Sequence, residues 1–448
     1  MRLEINSQRW HRALGVAGHP IKRSRSALTR RLRTTPGQMR LATATTALMT
    51  SVVGVAAITV LHTRHEATQA IASVAQPSLV HASNAYAKFS DADATASVAF
   101  LTGDTDLVYA RPRYESDLVT ATTELAAISH AAGATRQIDD SIRVINVQLP
   151  IYTGLVETAR TNNRQGFPVG AAYLRQASDT MRTKILPAVL SIYREEASRL
   201  AAAYDSDALQ TGPLLLLVVA VALIGLMVGV QFWLAKRTRR TLNLGWLAAT
   251  VIVAAVTAAV GAVIMSNSHN LESARRQGSD ATAQLASARI LAVRAQADES
   301  LALIARGSGT SFSKDFDEVT SRLRGRNHPG LAQQVQDTLR RLGDGKSADK
   351  IDIELSQFFQ EHEKVISFED KGAYPDAIDQ TSKSEAPHLA AVVAVLDKEI
   401  TASQRRFTTS TKSASFNAPA MYLIVGMGAV LVCVFIAAGM YPRLREYR

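Results

Sequence analysis

Four stretches of the chain are almost entirely apolar and contain no Asp, Glu, Lys, Arg or His. They are residues 41–61, 213–235, 244–265 and 418–441. A helix needs roughly 20 apolar residues to cross the hydrocarbon core of a bilayer, so each stretch is about long enough. The pattern therefore predicts four transmembrane helices, which we number as spans one to four in chain order.

Two long blocks, residues 62–212 and 266–417, lie between spans one and two and between spans three and four. In both blocks apolar residues recur every three or four positions, which is the spacing of helices that pack in a bundle. The clearest repeat consists of Ile138, Ile142, Ile145, Leu149, Tyr152, Val156 and Ala159. Turn-forming residues interrupt each block three times, which predicts four helices per block. The predicted breaks are Gly103-Asp104, Ala132-Gly133, Asn162–Pro168, Gly307–Gly309, Gly343–Gly345 and Lys371–Pro375.

These patterns predict an all-α membrane protein with two tandem up-down four-helix bundles, similar in plan to chemoreceptor sensor domains. The blocks also look like a duplicated unit, because Phe100–Gly103 resembles Ile304–Gly307 and Tyr114–Leu118 resembles Phe316–Val319. The spans are expected to continue directly into the first and last helices of each block.

Three prolines fall inside the predicted long helices and should bend them unless they lie at helix ends. They are Pro77, Pro150 and Pro187.

The charge distribution gives the orientation in the membrane. The chain has 50 Lys and Arg against 39 Asp and Glu, a net charge of +11. Ten Lys/Arg lie in residues 1–40, four in residues 236–243 and three in residues 442–448. The positive-inside rule then puts both termini and the loop between spans two and three in the cytoplasm, with both blocks outside the cell membrane. Because orientation explains the basic composition, no nucleic-acid partner is expected.

Residue patterns that would indicate catalysis or metal binding are incomplete. Glu361-His362-Glu363 lacks the histidine that a zinc-protease motif needs at position 366, which is Ile366. Gly345-Lys346-Ser347 resembles the end of a phosphate-binding loop, but Arg340 replaces its first glycine. The single cysteine excludes a disulfide framework. We therefore predict no enzyme activity, no cofactor and no metal site.

The loops at the membrane-distal tip of each bundle are the predicted contact sites for a ligand or partner. The segment Arg160–Pro168 is rich in guanidinium and amide groups, which suit carboxylates, although a plain helix–helix turn also needs Gly, Asn and Pro. The candidate residues are Gly103, Asp104, Arg160, Asn162, Asn163, Arg164, Gly166, Arg306, Ser308 and Tyr374. Within span two, Gly225 and Gly229 form a GxxxG motif, which favours close helix packing.

Two segments, Leu155–Ser178 and Ala297–Gly309, together with the four-span plan, resemble a family of actinobacterial membrane signalling proteins. These proteins link an extracytoplasmic glutamine-binding-type lipoprotein to the cytoplasmic protein kinase G. The resemblance implies a non-enzymatic relay for amino-acid availability. An amino-acid-loaded lipoprotein would contact the outer bundles, and a cytoplasmic Ser/Thr kinase that controls nitrogen and carbon metabolism would respond. It also implies motif positions, with no role assigned, at Asn162, Asn163, Arg164, Gly166, Arg306 and Ser308.

Two other functions stay open on the sequence alone. An accessory subunit of an amino-acid uptake system would also pair a lipoprotein with membrane spans, although spans without ionisable residues weigh against transport. An envelope scaffold would bind other membrane proteins and sense nothing. The chain could also form a homodimer, and the sequence does not decide its oligomeric state.

Overall fold

The computed structural model describes residues 35–102, 107–130, 135–238, 243–305, 310–325 and 329–445. Within these residues every regular element is a helix, and there is no strand. The first half contains α1 (Thr35–Ala70), π1 (Ile71–Ala75), α2 (Gln76–Thr102), α3 (Leu107–His130), α4 (Arg136–Arg164), α5 (Val169–Thr180), π2 (Met181–Ile185), α6 (Leu186–Tyr204) and α7 (Asp207–Thr238). The second half contains α8 (Leu244–Ser273), π3 (Ala274–Asp280), α9 (Ala281–Ala305), α10 (Thr310–Arg324), α11 (Leu331–Arg341), α12 (Gly345–Asp370), α13 (Tyr374–Gln380), π4 (Thr381–Glu385), α14 (Ala386–Ala414) and α15 (Ala418–Arg445).

The prediction of an all-α membrane protein is confirmed. Four helical segments each contain a window that is long and apolar enough to cross a membrane. They are Gly37–Leu101, Val169–Lys236, Leu244–Ala305 and Tyr374–Pro442. Each contains one of the four apolar stretches, so the chain is a multi-pass membrane protein.

The chain divides into two compact units. The span unit consists of residues 1–65, 207–265 and 416–448 and therefore holds the four apolar stretches. The bundle unit consists of residues 66–206 and 266–415, which we call the first and the second block. Both blocks thus belong to one compact unit.

Close helix contacts in the span unit involve other glycines than the GxxxG pair. A Cβ on Gly245 of α8 would lie 2.7 Å from a backbone carbonyl oxygen of α15, and one on Gly439 would lie 2.7 Å from Asn243 Oδ1. Asn243 Nδ2 in turn donates a 2.7 Å hydrogen bond to the Gly439 carbonyl. A Cβ on Gly225 or Gly229 would meet nothing within 4 Å. These two glycines therefore make no close helix contact within the described chain, and a contact through them with another molecule stays a prediction.

Each block has its own apolar core, and the helical periodicity of α4 is confirmed. Its core-facing residues Ile138, Ile145, Tyr152, Val156 and Ala159 are buried, with Ile142 and Leu149 packed against them. The core of the second block includes Phe316, Val335, Ile351, Phe358 and Leu389. Burial of large apolar side chains such as these stabilises the fold by about 1.5–3 kcal/mol each.

The third long helix ends in the same way in both blocks, which supports an internal duplication. Each ends in a Schellman motif with a glycine at positive φ, Gly166 (+74°) and Gly372 (+69°). The amide of the residue after the glycine donates a 2.9 Å hydrogen bond to the carbonyl of Asn162 or of Phe368. Glycine fits this left-handed position because it has no Cβ.

The π-helical segments also occupy matching positions in the two blocks. π1 and π3 follow the helices of spans one and three, whereas π2 and π4 lie in the last long helix of each block. Pro77, Pro187 and Pro387 each stand two residues after a π segment ends. Proline has no backbone N–H and cannot donate the hydrogen bond of a regular α-helix. The π segment already interrupts that hydrogen-bond pattern, so the helix tolerates a proline just after it. Pro150 by contrast lies inside α4.

The second block has one more break than the three predicted from its sequence. α10 ends at Arg324, α11 begins at Leu331, and Gly325 between them has φ +86°. Both short helices pack against α9, so together they replace the expected second helix. The prediction of four unbroken helices in this block is wrong, because Gly325, Pro329 and Gly330 are strong turn residues that the count overlooked.

The breaks at Asn162–Pro168, Gly343–Gly345 and Lys371–Pro375 are confirmed. The breaks at Gly103-Asp104 and Ala132-Gly133 and the one at Gly307–Gly309 lie outside the described residues.

Spans one and three continue without a break into the first helix of the block that follows them. The last helix of each block, by contrast, is separated from the next span by a break. Helical residues run unbroken from Gly37 to Leu101 and from Leu244 to Ala305, as predicted. Residues 205–206 and 415–417 are not helical, so the prediction of unbroken last helices is wrong. At the second of these breaks Asn417 Oδ1 accepts a 3.2 Å hydrogen bond from the Ala420 amide and caps α15.

A pair of glycine substitutions tests the packing of the blocks. A Cβ on Gly278, in π3, would lie 2.5 Å from Phe407 Cβ of α14, whereas one on Gly154, in α4, would meet nothing within 4 Å. We expect Gly278→Ala to destabilise the bundle unit by about 1–3 kcal/mol through overpacking. Gly154→Ala should instead stabilise it by about 0.5–1 kcal/mol, because alanine favours the helix. Melting temperatures of the purified variants measure both effects, and equal shifts would contradict this packing.

Candidate functional site

Three of the predicted contact residues build the turn after α4. Asn162 Nδ2 donates a 2.8 Å hydrogen bond to the Thr158 carbonyl, and Asn163 Nδ2 donates a 3.1 Å bond to the Phe100 carbonyl at the end of α2. Gly166 supplies the left-handed position of the Schellman motif. These residues therefore position the loop and tie it to α2.

The two arginines of this segment differ in their surroundings. Arg160 packs against the bundle: its guanidinium lies 4.9 Å from the centroid of the Tyr114 ring, and its Nη1 donates a 2.8 Å bond to Glu157. Arg164 is exposed. Phe167 and Val169, which follow it, are 53% and 47% exposed. An exposed guanidinium next to exposed apolar side chains is a surface that suits a protein partner.

The other predicted contact residues belong to different parts of the structure. Tyr374 is the first residue of α13 and is half-buried. Gly103, Asp104, Arg306 and Ser308 lie outside the described residues.

The first helices of the two blocks pack against each other within the bundle unit. α2 and α9 meet through small side chains, among them a buried cluster of Ala94, Val293 and Ala297. Leu301 of α9 is buried in the core of the first block. Small residues let the backbones of α2 and α9 approach closely, so the two blocks share an interface. Through Leu301, the second block also completes the core of the first.

A buried ion pair between Arg289 and Asp91 crosses this interface, and further charged groups of each block flank it. Arg289 of α9 donates from Nη2 to Asp91 Oδ2 of α2 at 2.7 Å and from Nε to Asp397 Oδ1 of α14 at 2.5 Å. Arg289 and Asp91 are only 7% and 4% exposed. Lys88 lies 2.8 Å from Asp117 and 3.5 Å from Asp91. Burial acts to lower the pKa of Lys88, but these two carboxylates outweigh it and raise the pKa.

A second group of buried charges lies farther along α2 and α9. Asp93 of α2 accepts a 2.7 Å hydrogen bond from Ser178 Oγ. Arg182 of π2 contacts Asp298 of α9, and its Nε lies 3.7 Å from Asp93 Oδ2. Burial raises the pKa of Asp93, and it raises the pKa of Asp298 to about 6, against the opposing effects of Arg182 and Arg294.

The raised pKa of Asp298 predicts a pH dependence of stability. Between its ordinary pKa of 3.8 and about 6, the folded protein keeps a proton that the unfolded chain has lost. Stability therefore falls as the pH rises through this window and is constant above it. We expect wild type to lose about 2 kcal/mol relative to Asp298→Asn between pH 4 and pH 6. Unfolding curves over this range measure it, with the exposed Asp140→Asn as control. Parallel curves for wild type and Asp298→Asn would contradict the assignment.

Two polar cavities lie in the bundle unit. One of about 280 Å³ lies between the blocks and is lined by Asn84, Lys88, Glu124, Arg289 and Gln404, among others. A larger one, of about 480 Å³, lies in the second block, and three arginines line it. They are Arg276, Arg341 and Arg406. Asp280 also lines this cavity and Arg276 pairs with Glu272, so its arginines are partly neutralised within the protein.

One group of described residues could hold a metal ion. Glu299 of α9, His362 of α12 and Glu385 of π4 bring one ligand atom each to within 4.8 Å of one another. In the sequence His362 belongs only to an incomplete zinc-protease motif, and its spacing from Glu299 and Glu385 does not indicate a shared site.

The buried acidic residues are only weakly indicated by the sequence. Asp91 and Asp93 interrupt the Ala-rich run Ser90–Ala96, and Asp298 and Glu299 interrupt another in α9. Acidic residues on the apolar face of a helix are unusual unless they are paired. Periodicity could have singled them out, but it could not have named their partners, because Arg289 and Asp91 are almost 200 residues apart.

Comparison with known proteins identifies one part of the chain. Residues 67–205, which coincide with the first block, match the family model of the actinobacterial sensor domain. No curated protein and no solved structure gave a significant match to the chain. The match to this sensor-domain model, together with four helices apolar enough to span a membrane, supports a role in transmembrane sensing.

Proposed function

We propose that this protein is a non-enzymatic transmembrane relay, in which a change in the bundle unit is passed to the spans. One observation carries the proposal. The helices that run unbroken out of spans one and three, Gly37–Leu101 and Leu244–Ala305, contain α2 and α9, the two helices that pack against each other at the interface between the blocks.

Two features of this interface suit a switch. Its small side chains allow the helices to shift without leaving large voids, and its buried ion pairs hold a defined register. A partner that binds one arrangement of the blocks more tightly than another shifts their equilibrium by that difference in affinity. Spans one and three then move as well, because each is part of the same continuous helical segment as α2 or α9.

The proposed orientation puts the bundle unit outside the cell membrane and both termini in the cytoplasm. The cluster of Lys and Arg at residues 236–243 supports it. An impermeant maleimide tests it with single cysteines placed in a Cys433→Ser background. A cysteine at exposed Val119 should be labelled in intact cells, and one at Thr241 should be labelled only after lysis.

The proposed partners are an amino-acid-loaded binding lipoprotein outside the membrane and a Ser/Thr protein kinase inside it that controls nitrogen and carbon metabolism. The resemblance of Leu155–Ser178 to signalling proteins of this kind is the basis for the lipoprotein, and the sensor-domain match is the basis for a sensing role. Its contact surface would include the end of α4, where Arg164, Phe167 and Val169 are exposed.

Affinity purification of the tagged full-length protein from native membranes, followed by mass spectrometry, tests both partners. We expect a binding lipoprotein whose yield changes on addition of aspartate, glutamate or glutamine, together with a Ser/Thr kinase. Recovery of transport ATPases with loss of amino-acid uptake in a deletion strain would indicate an uptake accessory instead. Recovery of only wall-synthesis or division proteins would indicate a scaffold.

Substitution at the end of α4 locates the contact. We expect Arg164→Ala with Phe167→Ala to lower the affinity for the lipoprotein roughly tenfold or more, as loss of interface hot spots does. Arg143→Ala, on the same helix and 73% exposed, is the matched control. Equal recovery of the lipoprotein with both variants would place its contact elsewhere.

A further inference from the structure

Three ionisable side chains from separate elements converge inside the second block. Glu299 of α9 and Glu385 of π4 are 4% and 0% exposed, and the His362 side chain of α12 is 17% exposed. His362 Nδ1 lies 2.7 Å from Glu299 Oε1 and 3.2 Å from Glu385 Oε1. The group is therefore enclosed by the bundle, with the imidazole as its most accessible member.

The π-helical turn places Glu385 in this group. Glu385 is the last residue of π4, and π segments within helices are frequent at functional sites because they redirect one side chain. The last residue of the matching segment π2 in the first block is Ile185, which is buried in the apolar core. Both blocks thus contain a π segment at this position, but only in the second block is the last residue of the segment a buried glutamate.

The polar atoms of the group are only partly satisfied within the described protein. Glu385 is fully buried, yet its Oε2 has no hydrogen-bond partner, and its Oε1 shares His362 Nδ1, at 3.2 Å, with the closer Glu299. A buried oxygen without a partner is costly, and native structures contain few of them. Without a cation the group reaches neutrality only if one glutamate stays protonated beside the imidazolium, and burial raises the pKa of Glu385 to about 9. Glu369 nearby is a further acidic group. A divalent cation with a neutral imidazole balances both glutamates.

We propose that Glu299, His362 and Glu385 bind one divalent transition-metal ion of the zinc type. Two carboxylates and an imidazole are ligands that Zn²⁺ accepts, and three protein ligands leave a fourth position for water or an anion. Metal–ligand distances of about 2.0–2.1 Å in a tetrahedral site put ligand atoms roughly 3.3 Å apart. The 3.2 Å between His362 Nδ1 and Glu385 Oε1 is close to this value, whereas the 2.7 Å between His362 Nδ1 and Glu299 Oε1 is shorter and would have to lengthen.

Aromatic rings hold the imidazole in place. The Phe316 ring stacks on His362 with a centroid distance of 4.3 Å, and the Phe358 ring lies at 6.3 Å. Such an apolar shell fixes the orientation of a ligating histidine. The ion would join α9, α12 and π4 and so stiffen the second block, whatever partner the protein has.

Metal titration of the full-length protein in detergent, stripped with a chelator, tests the site. We expect one Zn²⁺ per chain by elemental analysis and a rise in melting temperature of about 5 °C at a metal concentration a hundredfold above Kd. Co²⁺ should give the visible absorption bands of a tetrahedral site, and Mg²⁺ should give no shift. No bound zinc and no thermal shift would overturn the proposal and leave the group as an imidazolium–carboxylate cluster.

Variants separate metal binding from folding. Glu385→Gln keeps the shape of the side chain and removes a buried charge, so we expect a folded protein that has lost the zinc-dependent shift and the Co²⁺ bands. His362→Gln should lose both as well. His388→Gln is the matched control, because His388 of α14 also pairs with a glutamate, Glu354, at 2.8 Å but has no third ligand. A full zinc-dependent shift in Glu385→Gln, or its loss in His388→Gln, would overturn the assignment of ligands.

Discussion

Replacing Arg289 by methionine should destabilise the bundle unit by about 3–5 kcal/mol, because the change leaves the buried Asp91 without its guanidinium partner. Methionine fills much of the space of the arginine stem, so the loss reports the charge rather than a cavity. Replacing Asp91 by asparagine in the same chain should recover most of the loss. Thermal unfolding of the three purified proteins measures these differences.

Arg143→Met is the control for this substitution. Arg143 pairs with Asp140 at the surface, where both side chains are about two-thirds exposed or more, and such a pair contributes less than about 1 kcal/mol. If Arg289→Met melted like Arg143→Met, the interface between the blocks would not depend on its buried ion pairs.

A core substitution in the second block should weaken the first block as well. Phe358 of α12 is 1% exposed and contacts the Phe316 and Phe359 rings, so Phe358→Ala should cost about 3–5 kcal/mol. Because Leu301 of the second block completes the core of the first, the two blocks should unfold together. Hydrogen exchange of amides in α4, which belongs to the first block, should then accelerate.

Ile353→Ala, on the same helix as Phe358 but 57% exposed, should leave both blocks unchanged. Faster exchange confined to the second block in Phe358→Ala would show that the blocks are independent domains in tandem.

The spans and core periodicities could be predicted because they follow from local composition. Apolar runs such as residues 213–235 are buried in a bilayer whatever their neighbours are, and a residue such as Ile145 faces the core because of its place in the repeat of α4. The turn at Asn162–Gly166 was found for a related reason, since glycine and asparagine fit a helix end. Asn162, Asn163 and Gly166 build this helix end, and a contact between the segment and a ligand or partner stays a prediction.

The interface and the glutamate–histidine group could not be predicted because both depend on which helices become neighbours. Arg289 reaches Asp91 only after the two blocks pack together, and Glu385 reaches His362 only through the π turn. Helical period specifies a buried face but not the helix that covers it. The extra break at Gly325–Gly330 is different, because its turn residues were readable in the sequence.

The distance between the two blocks, measured with and without the partner, tests the relay most directly. Spin labels at Val119 of α3 and Ile353 of α12, which are 64% and 57% exposed, would report it in a Cys433→Ser background in lipid nanodiscs. The relay requires that the binding lipoprotein, loaded with its amino acid, shifts the distribution of label distances, and that Arg289→Met weakens the shift. Identical distributions with and without bound lipoprotein would contradict the relay.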